Sequence, residues 1–135
     1  MRKILALFLL TSLGFNTIFA NTLKDAIIAY QQKNYKEAKK LFETAIEKEN
    51  SKQANFFLGR IYLFGEGIEK NPKLALSYLQ KAEKSGNIKA KCLKIKALLK
   101  IKKEISKEDE MFLKSDQAKN IKECKDIKIS VKDKK

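Results

Sequence analysis

The stretch Ala54-Asn55-Phe56-Phe57-Leu58-Gly59-Arg60-Ile61-Tyr62, with Gly65-Glu66-Gly67-Ile68, Asn71-Pro72, Ala75-x-x-Tyr78-x-x-Lys81-Ala82 and Gly86 after it, decides the fold. Ala54, Phe57, Leu58, Ile61 and Tyr62 recur at helical spacing and define one buried stripe. Gly59 costs the helix about 1 kcal/mol in propensity, and its missing side chain lets a neighbouring helix approach. Gly65 and Gly67 supply the backbone freedom that ends this helix and shapes a loop. Asn71-Pro72 opens the next helix, with Pro72 in its first turn. Leu74, Ala75, Tyr78, Leu79 and Ala82 form a second apolar stripe, which Gly86 closes. The small residues Ala75 and Ala82 answer the same need for close packing as Gly59.

The flanking segments repeat this plan more loosely. A shift of 37 residues superposes Ala38 on Ala75, Leu41 on Tyr78, Phe42 on Leu79 and Ala45 on Ala82. A shift of 36 superposes Ala54 on Ala90, Phe57 on Leu93 and Ala82 on Ala118. Beyond that the pattern decays: Lys94 stands where Leu58 was and Ile95 where Gly59 was. The Gly-x-Gly loop has no counterpart near residues 101–103. A terminal repeat diverges because one of its faces has no neighbour and must be polar.

Over Ala54 to Gly86 the chain resembles the Sel-one-like repeat family, whose repeat is related to the tetratricopeptide repeat and has a longer glycine-containing loop. The residues carrying the resemblance are Ala54, Leu58, Gly59, Tyr62, Gly65, Gly67, Ala75, Tyr78, Ala82 and Gly86. Ala26 to Glu47 resembles a tetratricopeptide helix pair, broken at Asn34-Tyr35, and 87–124 reads as a degenerate last repeat. The resemblance implies an all-α fold, a short right-handed α-solenoid of about three antiparallel helix pairs. Helices are expected at roughly 22–32, 35–48, 51–64, 72–85, 87–103 and 106–123. Ser106-x-x-Asp109 offers a capping box for the last, and 125–135 reads as a basic, frayed tail. Ile127, Ile129 and Val131 alternate there like a strand that has no visible partner.

Residues 1–20 read as a secretory signal peptide. Arg2 and Lys3 are followed by the apolar run Ile4 to Leu13, Gly14 breaks it, and Ala20 precedes the expected cut. The alternative is an uncleaved anchor, although 17 uncharged residues from Ile4 to Ala20 barely span a bilayer. No cysteine sits at the cut for a lipid. The expected product begins at Asn21 and is periplasmic or secreted, with no stable membrane insertion. The repeat domain then occupies 21–124.

The formal charge is +14, or +12 once Arg2 and Lys3 are gone. Only Arg2 and Arg60 among the 30 basic residues are arginine, the residue that reads bases and phosphates bidentately. The lysines are scattered among glutamates without interleaved aromatics, so a solvated basic surface is the reading and no nucleic acid is expected. A polyanion site remains the alternative.

Cys92 and Cys124 are an even count in a chain expected to be exported, which favours a disulfide. They fall near the start of the fifth helix and the end of the sixth, neighbouring ends in an antiparallel hairpin. Cysteine-rich exported members of the resembled family staple helix pairs in this way. Two reduced, buried thiols are the alternative.

No catalytic, cofactor or metal residues are identified. The chain has no histidine, the usual general base and metal ligand. It lacks Ser-x-x-Lys, so the β-lactamase label of some cysteine-rich relatives finds no nucleophile motif here. Glu104, Glu108, Asp109 and Glu110 cluster where acidic residues suit a helix dipole. Gly65-Glu66-Gly67 follows a helix and lacks the ending of a phosphate loop. Tyr30, Tyr35, Tyr62 and Tyr78 sit at stripe positions and read as core.

The expected function is non-catalytic protein–protein interaction, as a scaffold or adaptor of the bacterial cell envelope, with an unknown protein or peptide partner; self-association and an immunity role are special cases. The groove would come from the first, third and fifth helices, with Gln31, Lys52, Asn55, Arg60 and Lys91 as surface contributors. An envelope enzyme or a polyanion-binding factor is the alternative.

Overall fold

The computed structural model describes residues 21–128. Over these the chain is all helical: α1 (Thr22–Gln31), α2 (Tyr35–Glu49), α3 (Lys52–Phe64), α4 (Pro72–Lys84), α5 (Ile88–Lys100), α6 (Lys107–Lys114), α7 (Asp116–Lys119) and a 3-10 turn, Lys122–Cys124. The signal peptide expected at residues 1–20 and the alternation at Ile129 and Val131 lie outside the described residues.

Local chemistry sets the helix starts. Asn21, Ser51, Asn71, Asn87 and Ser106 each accept a backbone N–H of the first turn through the side chain. Pro72 occupies the first turn of α4, where its missing N–H is not needed. The first five helices match their expected bounds to within three residues.

Each helix packs on the next, α1 on α2, α2 on α3, α3 on α4 and α4 on α5, and α3 also meets α5. The result is a solenoid with α1, α3 and α5 in one layer and α2 and α4 in the other. Of the superposed positions, Ala38, Phe42 and Ala45 are fully buried, as are Ala75, Leu79 and Ala82, while Leu41 and Tyr78 are half-buried. Two cores form, one among α1, α2 and α3 and the other among α3, α4 and α5, and Phe57 packs against both. Its ring stacks on Phe42 at 4.7 Å, an aromatic contact that adds to simple burial.

Gly59 behaves as its position in the stripe implies. A Cβ there would lie 2.6 Å from Cγ and Cδ2 of Leu79. The loop after α3 reaches backward as well as forward. Gly67 has φ +68, and a Cβ on it would meet Cβ of Tyr35 at 2.8 Å. Ile68 packs against the first core, and the Tyr30 hydroxyl donates to Glu66 Oε2 at 2.6 Å.

The sixth helix differs from expectation. It does not run unbroken from 106 to 123; it stops at Lys114. Ser115 has extended backbone (φ −72°, ψ 154°), and its hydroxyl caps both sides, donating to the Phe112 carbonyl and accepting from the Ala118 N–H. Geometry demands a break. A continuous helix would carry Cys124 about 27 Å from Ser106, while Cys92 lies only about 12 Å from the end of α5 at Lys100. Redirected at Ser115, the chain brings the two cysteines to a Cα separation of 4.8 Å, with their sulfurs at disulfide distance. Ala118 stays buried, as the repeat register requires. Contacts also continue past Cys124, since Ile127 packs on the Cys92, Ala118 and Cys124 cluster.

Gly59→Ala is expected to lower stability by about 1–2 kcal/mol, because overpacking against the enclosed Leu79 outweighs the gain in helix propensity. Chemical denaturation measures this, and a variant more stable than the parent would refute the close approach.

Candidate binding surface

The face built by α1, α3 and α5 carries a polar cluster centred on Arg60. Its Nε donates to the Tyr30 hydroxyl at 3.0 Å. Its guanidinium lies 3.6 Å from Glu66 and 3.8 Å from Glu123. It also sits over the rings of Tyr30 and Phe64, at 6.0 and 5.7 Å, within cation–π range. Four segments thus meet at one arginine: the end of α1, the middle of α3, the loop after it and the turn before Cys124. Burial first, then the hydrogen bond to Glu66, pushes the Tyr30 hydroxyl far above its ordinary 10.0. Tyr30 was expected in the core; it is half-buried, with its ring against Tyr35, Phe42 and Phe57 and its hydroxyl in this cluster.

The other sequence-level contributors divide. Gln31 and Lys52 are exposed at helix ends. Asn55 is not a surface residue: it is only 8% exposed, with Nδ2 turned to the Lys52 carbonyl. The reason is that α3 has neighbours in both layers, which leaves it few free positions. Lys91 is also covered, because α6 folds over it. Its ammonium lies 4.9 Å from the Phe112 ring centroid and 3.0 Å from Glu108.

A second cluster lies where the repeat pattern decays. Lys94, in the place of Leu58, is held at 2.9 Å by Asp109 and 3.0 Å by Glu83. Asp109 is 3% exposed. Its backbone N–H is capped by Ser106 as the capping box implies, while its carboxylate goes to Lys94, with Lys91 at 3.8 Å. Part of the acidic cluster at the start of α6 is therefore ion-pairing chemistry. Burial alone would lower the Lys94 ammonium, but the hydrogen bonds to Asp109 and Glu83 outweigh it, and the group ends above its ordinary 10.5.

Tyr62 and Tyr78 stack at 5.8 Å, with Lys39 and Lys81 over their rings. Two depressions, of about 330 and 380 Å³, are open and lined largely by polar side chains. They do not enclose a small molecule in the way ligand pockets do. Among the described residues no three His, Cys, Asp or Glu side chains gather as a metal site, and no helix is long and apolar enough to cross a membrane.

Two expectations follow. Lys94→Met leaves Asp109 buried without its main partner and should cost about 3 kcal/mol. Adding Asp109→Leu should restore most of that loss, and denaturation of the two variants measures the coupling. The second concerns pH. Tyr30 and Lys94 both hold their protons more tightly when folded, so their contribution is complete below about pH 10 and lost as pH rises through the raised values. The denaturation midpoint should therefore fall above pH 10, and Tyr30→Phe should flatten the fall.

Comparison with known proteins agrees with the geometry. The Sel1 repeat family model matches residues 29–50 and 52–87. No curated protein and no solved structure matches the chain. The first match covers α2 with only the last three residues of α1, and the second covers the packed pair α3 and α4 in full. Residues 29–50 and 52–87 of the chain are Sel1-like repeats.

Proposed function

We propose that the chain is a non-catalytic adaptor of the bacterial cell envelope that binds a protein or peptide segment across the α1–α3–α5 face. Sel1 repeats are generally protein–protein interaction modules. The observation that carries the reading is Arg60 itself. It is the sole arginine after Arg2, half-buried beside Tyr30 and Phe64 on that face. Arginine and tyrosine are among the residues enriched where binding energy concentrates at protein interfaces. An envelope location draws support from the leader-like residues 1–20 and from the cysteine pair at disulfide distance.

The lysine surface supports a second reading, a polyanion-binding factor, and salt separates the two. The test is affinity capture from envelope extract with the chain from Asn21, at low and high ionic strength, with mass spectrometric identification. A defined protein partner that survives high salt and loses about tenfold or more in affinity with Arg60→Ala is the expected outcome. Polymers or many acidic proteins, all released by salt, would overturn the adaptor reading in favour of the lysines.

A further inference from the structure

The segment 115–128 crosses the α5 side of the same face in a regular way. Ala118, Ile121, Cys124 and Ile127 recur every third residue and turn inward: Ala118 and Cys124 are buried, and Ile121 and Ile127 pack against them and Cys92. Lys119, Lys122, Lys125 and Lys128 recur at the same interval and are all exposed. In the 36-residue register Cys92 corresponds to Phe56 and Lys96 to Arg60, so at Cys92 the segment lies on the α5 stripe equivalent to the one Arg60 occupies on α3. Glu123 then extends from the segment to Arg60.

The non-covalent fastening is thin. Only three residues of this cluster are buried, one of them Cys92 of α5. The one ion pair to α3 is 3.8 Å long, and the other carboxylate oxygen, Glu123 Oε2, is buried with no hydrogen-bond partner. An unpaired buried carboxylate oxygen opposes the closed arrangement. What holds the segment is the Cys92–Cys124 bond, which keeps it at high effective concentration against α5.

We propose that residues 115–128 form a redox-held strap, closed when Cys92 and Cys124 are joined and open when they are reduced. A dithiol reductant supplies the two electrons and two protons. Its thiolate attacks one sulfur, the Cys92–Cys124 bond breaks to two thiols, and the reductant leaves as its own intramolecular disulfide. Opening uncovers the α5 stripe around Cys92 and frees Arg60 from Glu123, leaving it with Tyr30 and Glu66. The uncovered surface takes the chemistry the strap itself offers: aliphatic side chains at every third position and a carboxylate for Arg60. The strap thereby controls access to the face assigned above to the partner, and that purpose rests on the adaptor reading; the existence of the strap does not.

The test involves no partner. Hydrogen exchange is followed along the folded chain with and without dithiothreitol, and in Cys92→Ala/Cys124→Ala without reductant. The modification rate of Arg60 by phenylglyoxal is measured in the same samples. Reduction and the double substitution should each accelerate exchange over 116–128 by about tenfold or more while α1 to α4 keep their protection, and Arg60 should react several-fold faster. Unchanged exchange over 116–128 in the reduced chain would overturn the proposal. So would loss of protection in α4 and α5 together with the segment, which would make the bond a staple of the whole last repeat. A released segment with no change at Arg60 would overturn the control of the face.

Discussion

Helix α3 is shared between two cores, and the rest of the molecule depends on that sharing. A single helix pair here has too little apolar surface to exclude water from both of its helices. Phe57 lies against both cores, and Gly59 admits Leu79 to a distance no side chain at that position would allow. The sequence consequences are direct. Positions facing a neighbour in each layer must be small or apolar, so α3 has almost no free surface, and its one arginine emerges where the α1–α3–α5 face opens to solvent.

The last repeat has the opposite difficulty, since nothing follows it. An apolar residue in the place of Leu58 would have had to face a thin, short-helix cover. Lys94 instead exchanges apolar burial for ion pairing with Asp109 and Glu83. Such a pair costs desolvation and is favourable only with good hydrogen-bond geometry. The separation of 2.9 Å to a nearly buried carboxylate meets that condition. The same short α6 then supplies Glu108 and Phe112 to cover Lys91. The decay of the consensus is thus a change of cohesive chemistry.

Legibility followed the range of the interactions. The helices up to α5 and the small interior positions Ala54, Gly59, Ala75 and Ala82 are readable because each rests on spacings of a few residues. The buried Phe56, Leu63 and Leu76 lie off the named stripes, because α3 and α4 have neighbours on more than one side. The pairing partner of Lys94 is not readable, since Asp109 is brought to it by a turn whose direction no local pattern states. Glu123 and Arg60, 63 positions apart, are a stronger case of the same kind. The end of α6 departs from expectation for a different reason. Apolar helical spacing runs on through Ser115 in the sequence, although Ser115-Asp116 is itself a helix-start signal. The three-residue recurrence of Ala118, Ile121, Cys124 and Ile127 also departs from the 3.6 of an α-helix. Asn55 and Lys91 were assigned to the surface by helical phase, which does not count how many neighbours a helix has.

The loop of residues 65–68 has a mechanical consequence. Through Glu66, Gly67 and Ile68 it braces the second helix pair against the first, off the axis of the core contacts. Two lines of contact separated laterally resist bending far better than one, as paired struts stiffen a truss. The third pair lacks the glycine loop and reaches back to the second through ion pairs instead, Lys94 to Glu83 and Glu123 to Arg60. The two joints of the array are therefore braced by different means, a loop at the first and ion pairs at the second.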